Sequence, residues 1–123
     1  MAATAITVQS LTARNSFATA ALKTALTAAV DATDGALVPF TERDDKYLIL
    51  VENVNASTAK SVTIKGGDSF QAGGDTTKEI AAASYTFIAI DSGRYLNTTG
   101  TNKGKIQITG TSADIQVAVF KLP

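Results

Sequence analysis

An all-β, single-domain sandwich or barrel is predicted for this chain by three observations. Apolar runs with period-two alternation recur from Tyr47 to the C-terminus, and clusters of Asn, Ser, Thr and Gly separate them. These runs follow one another roughly every 8–12 residues, the spacing of short strands in sandwiches and barrels. At 123 residues the chain makes one domain, long enough to bury roughly two thirds of the surface that its unfolded form exposes. Such a core needs neither a metal nor a disulfide to hold it.

The first element is "TAITVQSL", Thr4 to Leu11, which alternates like a strand and precedes the first charge at Arg14. Two readings fit it. Residues 1–16 form an extended arm whose Thr4, Ile6, Val8 and Leu11 add to an exposed sheet edge of a neighbouring subunit, gaining backbone hydrogen bonds without a preformed pocket. Alternatively, they are the first strand of the chain's own sandwich, which occupies residues 17–123. The next stretch, "SFATAALKTALTAAVDATDG", is the one ambiguous region. Leu22 and Leu26 stand at helical spacing among many alanines, yet Thr19, Thr24 and Thr27 are poor helix formers. The expectation over residues 17–30 is strand, followed by a turn at "DATDG". Pro39 in "ALVPF" marks an edge strand or a bulge, because it lacks a donor for the ladder.

From Tyr47, "YLILVENV" reads as a buried strand by its β-branched and aromatic content. "NAST" supplies turn chemistry, and "KSVTIKGG" alternates with Val62 and Ile64 on one face. The pair reads as a hairpin. "TTKEIAA" and "SYTFIAI" follow as strands, the second with Tyr85, Phe87 and Ala89 opposite Thr86, Ile88 and Ile90. "DSG" is read as a turn, "RYLN" as a short edge piece and "NTTGTNKG" as a loop. "KIQIT" and "ADIQVAVFKL" close the chain as strands, with Ile115, Val117, Val119 and Lys121 on one face by period two.

Composition narrows the chemistry. Eleven basic and eleven acidic residues give no net charge, so total charge recruits neither nucleic acid nor an anionic membrane. Acidic residues concentrate between Asp31 and Glu52, whereas Arg94, Lys103, Lys105 and Lys121 bias the last third basic. Opposite ends of opposite sign would suit subunit contacts; the simpler reading is charges scattered over solvated loops. Cysteine and histidine are both absent, which removes thiolate nucleophiles, Cys-based metal sites and the side chain best suited to proton transfer near neutral pH. No cofactor is expected, and an enzyme becomes the third choice. "MAATAITVQS" lacks the basic start of a secretory signal. The apolar window "FATAALKTALTAAV" contains Lys23 and falls short of the roughly 20 residues that span a bilayer. The chain is expected to stay in the cytosol until it is assembled or released.

Motifs with catalytic overtones fail on context. "STAK", Ser57 to Lys60, has the spacing of an acylating serine and its lysine, but lies in a turn without the companion motifs. "GTNKGK", Gly100 to Lys105, is one residue short of a phosphate loop and continues into Ile106, where Ser or Thr should bind magnesium. "DATDG" and "ERDD" offer carboxylates without the alternation and closing Glu of an EF-hand. A glycosidase would need two carboxylates at a set separation in a cleft, and few aromatics are present to stack a sugar. Tyr47, Tyr85 and Tyr95 form either a ligand platform or ordinary packing. The sequons at Asn55 and Asn97 are simplest as turn residues.

In the order of its elements the chain resembles a known family, the small decoration or auxiliary head proteins of tailed bacteriophages. The resemblance rests on "DATDG" (31–35), "DKYLILVENVNASTAKSVTIKGG" (45–67), "SGRYLN" (92–97), "GKIQI" (104–108) and "DIQVAVFKLP" (114–123). It implies a compact β-sandwich, jelly-roll or β-tulip-like, that binds the major capsid protein on the outside of an expanded head. It further implies a homo-oligomer, with a trimer favoured, that cements the shell against internal DNA pressure and resides in the virion. The segment bearing Thr4, Ile6, Val8 and Leu11 would then contact the capsid or another subunit. Rival expectations are a head-fibre or tail-associated β domain, and a carbohydrate- or cell-surface-binding sandwich module.

Overall fold

The computed structural model describes residues 4–10, 24–26, 35–68 and 74–123, the backbone alone at Thr4 and 24–26. Two sheets pack face to face. In the first, β1 (Thr4–Ala5), β4 (Ala36–Pro39), β9 (Lys105–Gly110), β6 (Lys60–Ile64) and β7 (Thr76–Ile80) lie in that order. In the second the order is β2 (Val8–Ser10), β10 (Ile115–Lys121), β5 (Tyr47–Asn53) and β8 (Ser84–Ile88). Strand β3 (Thr24–Leu26) pairs with the first half of β10, along the edge whose second half holds β2.

Period-two patterning builds the core directly. Along β5, Tyr47, Ile49, Val51 and Asn53 are buried while Leu48, Leu50 and Glu52 are half-buried on the other face. Ile115, Val117 and Val119 of β10 lie on the same inner face, as the alternation requires. Opposite them stand Val38, Val62, Ile64, Ile106 and Ile108 of the first sheet. Each such aliphatic side chain stabilises the fold by about 1.5–3 kcal/mol on full burial, which makes these interleaved layers the main source of stability.

The region from Tyr47 to Ile64 is not a hairpin. β5 belongs to the second sheet and β6 to the first, so residues 54–59 form an arch across the sandwich. Asn53 makes the arch possible. Its side-chain amide donates to the carbonyls of Thr58 and Ile80 at 3.0 Å and of Ala81 at 3.3 Å, while its Oδ1 accepts from Asn55 N–H at 3.0 Å. "RYLN" is also not a strand piece. Arg94 and Tyr95 complete the single helical turn α1 (Ser92–Tyr95), which the Asp91 carboxylate caps by accepting from Gly93 N–H at 2.9 Å.

Other expectations hold in part. Thr24–Leu26 is a strand, as expected for that part of residues 17–30; the rest of that stretch lies outside the described residues. Pro39, read as marking an edge strand or bulge, instead ends β4, which runs between β1 and β9; it lies beyond the two positions that pair with β1, so its missing N–H breaks no ladder there. Tyr47 serves packing. Its ring stacks on Phe40 with centroids 4.2 Å apart, and its hydroxyl accepts from the N–H groups of Thr41 and Glu42 at 3.2 Å. The acidic and basic ends of the chain partly meet within the domain, where Lys121 pairs with Glu42.

Candidate functional site

Strand β8 positions the most exposed large hydrophobic side chains of the described residues. It pairs only with β5, in the register Leu50↔Phe87 and Glu52↔Tyr85. Since Ile49 and Val51 face the core, Thr86 and Ile88 turn inward, and Tyr85 and Phe87 must turn outward. Tyr85 is 64% exposed and Phe87 56%. The two rings meet edge to face with centroids 6.0 Å apart, a favourable aromatic geometry. Leu48 and Leu50 share this outer face with Phe120, which lies opposite Leu48 on β10. The result is an aromatic and aliphatic strip ending at a strand edge that no described residue pairs.

Beside this edge the two sheets part. A cleft of about 350 Å³ opens between β7 and β8, lined among others by Val62, Ile64, Thr76, Ile88 and Tyr95. The Thr76 and Tyr95 hydroxyls hydrogen-bond at 2.7 Å, so the principal polar groups of its floor satisfy each other. Along β7, Thr76, Thr77, Lys78 and Glu79 are all exposed to solvent. Polar and charged residues of this kind protect an exposed edge from indiscriminate pairing.

The carboxylates are occupied elsewhere. Asp68 accepts from the hydroxyls of Thr98 and Thr99 at 2.8 and 2.6 Å and from their N–H groups at 2.6 and 3.3 Å. These bonds, led by the Thr99 hydroxyl, lower its pKa from 3.8 to about 2. Asp75 is held low by Gly66 N–H and then by Lys65. Glu42 is held low by Lys121, and Asp45 by Arg43. Asp44 accepts from Ser92 N–H at 2.9 Å, and Asp114 from the Asn55 amide at 3.0 Å. These bonds hold turns and loops together and tie one loop to the end of β10. A general acid needs its pKa raised instead, and no group of three or more metal-ligating side chains stands among the described residues.

One consequence is measurable. The folded pKa of Asp68 lies below its ordinary value, so its contribution to stability is present above about pH 3.8 and is lost as pH falls toward 2. Urea midpoints followed from pH 6 to pH 2 should therefore drop less steeply for Asp68→Asn than for the parent chain. Parallel curves would mean that the Thr98–Thr99 bonds exert no differential hold on the carboxylate.

The segment singled out at the N-terminus lies against both sheets of its own chain. Thr4 lies in β1 beside Ala36, Ile6 is buried between the sheets, and Val8 lies in β2 beside Val119. Leu11 lies outside the described residues. Thr4, Ile6 and Val8 thus share the seam on the side of the sandwich away from β7 and β8. Ser57 of "STAK" donates its N–H to Asn55 Oδ1 at 2.9 Å, and the Asn97 amide donates to Lys105 O at 3.1 Å. Both sequon asparagines are turn residues in this fold. Of the three tyrosines, Tyr47 and Tyr95 are buried, which leaves Tyr85 as the one available to a ligand. Phe87 was visible in the alternation of "SYTFIAI"; its exposure follows from the edge position of β8, which no local pattern encodes.

Compared with known proteins, the chain matches no family model, no curated protein and no solved structure.

Proposed function

We propose that this protein is a structural component of a tailed-phage virion, which decorates the outside of the head by binding the major capsid protein. One observation carries the proposal beyond the resemblance in element order. The described carboxylates with assigned partners serve to tie turns, loops and a strand end together, whereas the largest exposed apolar groups, Tyr85 and Phe87, stand together on an edge strand whose outer side no described residue pairs. Such an edge binds by burying apolar surface and extending a sheet, which needs neither a nucleophile nor a proton donor. The frame is then the working part.

The test is co-sedimentation of the purified protein with expanded capsids that lack it, read as copies bound per shell. Saturation at a simple multiple of the lattice symmetry is the expected result. Replacing both rings, Tyr85→Ser with Phe87→Ser, should weaken binding by about 30-fold or more, the size of one interface hot spot of about 2 kcal/mol. Absence of binding to expanded and unexpanded shells alike would reject decoration.

A second reading has its own observation. An exposed tyrosine beside a phenylalanine also suits the face of a sugar ring, as in a carbohydrate-binding sandwich module. Saturable binding on a glycan panel, abolished by Tyr85→Ser alone, would favour it. A head-fibre or tail-associated domain would bind neither expanded shells nor glycans in this way.

A further inference from the structure

The seam filled by residues 4–10 has features of an exchangeable joint. β1 runs parallel to β4, in the register Thr4↔Ala36 and Ala5↔Leu37, and Ile6 N–H donates to Leu37 O at 2.9 Å. The segment then crosses to the other sheet, where β2 runs parallel to β10 from Val8↔Val119 to Ser10↔Lys121. Ile6, only 5% exposed, is the plug between the sheets. All these partners are remote in sequence, and parallel pairing is never closed by a tight turn. Among the described residues, the strand partners of this segment are thus all distant in sequence.

The covalent link is also longer than the path requires. Ser10 lies beside Lys121, and Thr24 beside Val117, on one edge of β10. Four register positions separate these points, about 13 Å along a strand. Residues 11–23 join them, and a chain of that length reaches at most about 45 Å when extended. By length alone, the connection allows residues 4–10 to seat on a second copy as well as on their own. Residues 4–10 carry no ionisable side chain, so seating them on another copy desolvates no charge.

We propose that residues Thr4–Ser10 are exchanged between copies, each segment seating on β4 and β10 of a second copy. The exchanged joint keeps every bond of the closed one, which makes it a low-cost route to an oligomer. It gives Thr4, Ile6 and Val8 a role as subunit contacts. The inference deepens the decoration reading, whose bound form is an oligomer, but its test uses purified protein without capsids. Its failure and that of capsid binding are therefore separate results.

The chain contains no cysteine, so an engineered pair reports without background. Gln9 and Phe120 are register partners on β2 and β10, and both are half-buried. Neighbouring strands lie within the Cα separation that a disulfide accepts. The double variant Gln9→Cys/Phe120→Cys is refolded and oxidised at about millimolar concentration. Covalent dimers and higher rings on a non-reducing gel are expected. Co-refolded single variants, Gln9→Cys with Phe120→Cys, should give a mixed 9-to-120 dimer. An oxidised double variant that runs as a monomer, or thiols left free in both experiments, would overturn the exchange. A monomeric mass by light scattering of the unmodified chain at that concentration would overturn it independently of any variant.

Discussion

Asn53→Leu should lower the stability of the domain by about 3–5 kcal/mol, since one buried and three part-buried hydrogen bonds go unmade, at about 1–3 kcal/mol for each polar group left stranded in the interior. Leucine resembles asparagine in length, so the loss would not come from an empty cavity. The side chain of Asn53 is fully buried, and its amide serves the carbonyls of Thr58, Ile80 and Ala81 while its oxygen holds Asn55 N–H. It thereby joins the arch after β5 to the turn between β7 and β8. Asn53→Asp provides the sharper comparison, because it keeps the shape and replaces the donor with an acceptor facing three carbonyl oxygens. Buried there, a carboxylate would have a raised folded pKa, so its penalty is smallest at low pH and grows as pH rises above the ordinary carboxylate range. Urea unfolding at pH 7 and pH 4 measures both effects. Asn53→Leu within about 1 kcal/mol of the parent, the range of a tolerated core exchange, would show that the arch does not depend on this amide.

Asn53 also marks where sequence reasoning stops. The alternation of "YLILVEN" identifies the strand and its buried face, because one face meets the core and the other does not. It carries no information on which sheet receives the following strand: "KSVTI" alternates identically whether it folds back as a hairpin or crosses as an arch. The usable signals were the six residues between the strands, long for a hairpin, and a polar amide at the next inward position. Tyr85 and Phe87 follow the same logic, since alternation sets them on one face but only the sheet order makes that face an open edge. Asp68 and Thr98–Thr99 meet across thirty residues of chain, a pairing with no local signature. "DATDG" suggests a turn because Gly and Asp suit one, and its residues 31–34 lie outside the described residues. What Gly35 approaches was not legible.

That approach governs the N-terminal seam as well as the fold. Gly35 leads into β4, whose Ala36 is fully buried and pairs with Ile108 on one side and Thr4 on the other. The strand that seats residues 4–10 is thus held where Gly35 packs on β9. An exchanged joint and a closed joint depend on it equally, because both use the same face of β4.

Gly35→Ala should consequently cost about 2–5 kcal/mol, the sum of a left-handed backbone penalty of about 1–2 kcal/mol and an overpacking strain of typically about 1–3 kcal/mol. Gly35 has φ +55°, and a Cβ built on it would lie 2.1 Å from the carbonyl oxygen of Ile108 and 2.7 Å from a Thr109 methyl. The first obstacle is backbone in the middle of a paired strand, which cannot swing aside as a side chain can. Gly100 and Gly104 supply the control. Their φ values are +75° and +79°, yet a Cβ at either would meet nothing within 4 Å. Gly100→Ala should therefore show only the backbone penalty of about 1–2 kcal/mol. The difference between the two variants isolates the contact with β9 from the cost of the conformation, and equilibrium urea unfolding reads it directly. Equal losses at the two positions would mean that β9 yields to the added methyl, and that β4 is held by its ladder rather than by the close approach at Gly35.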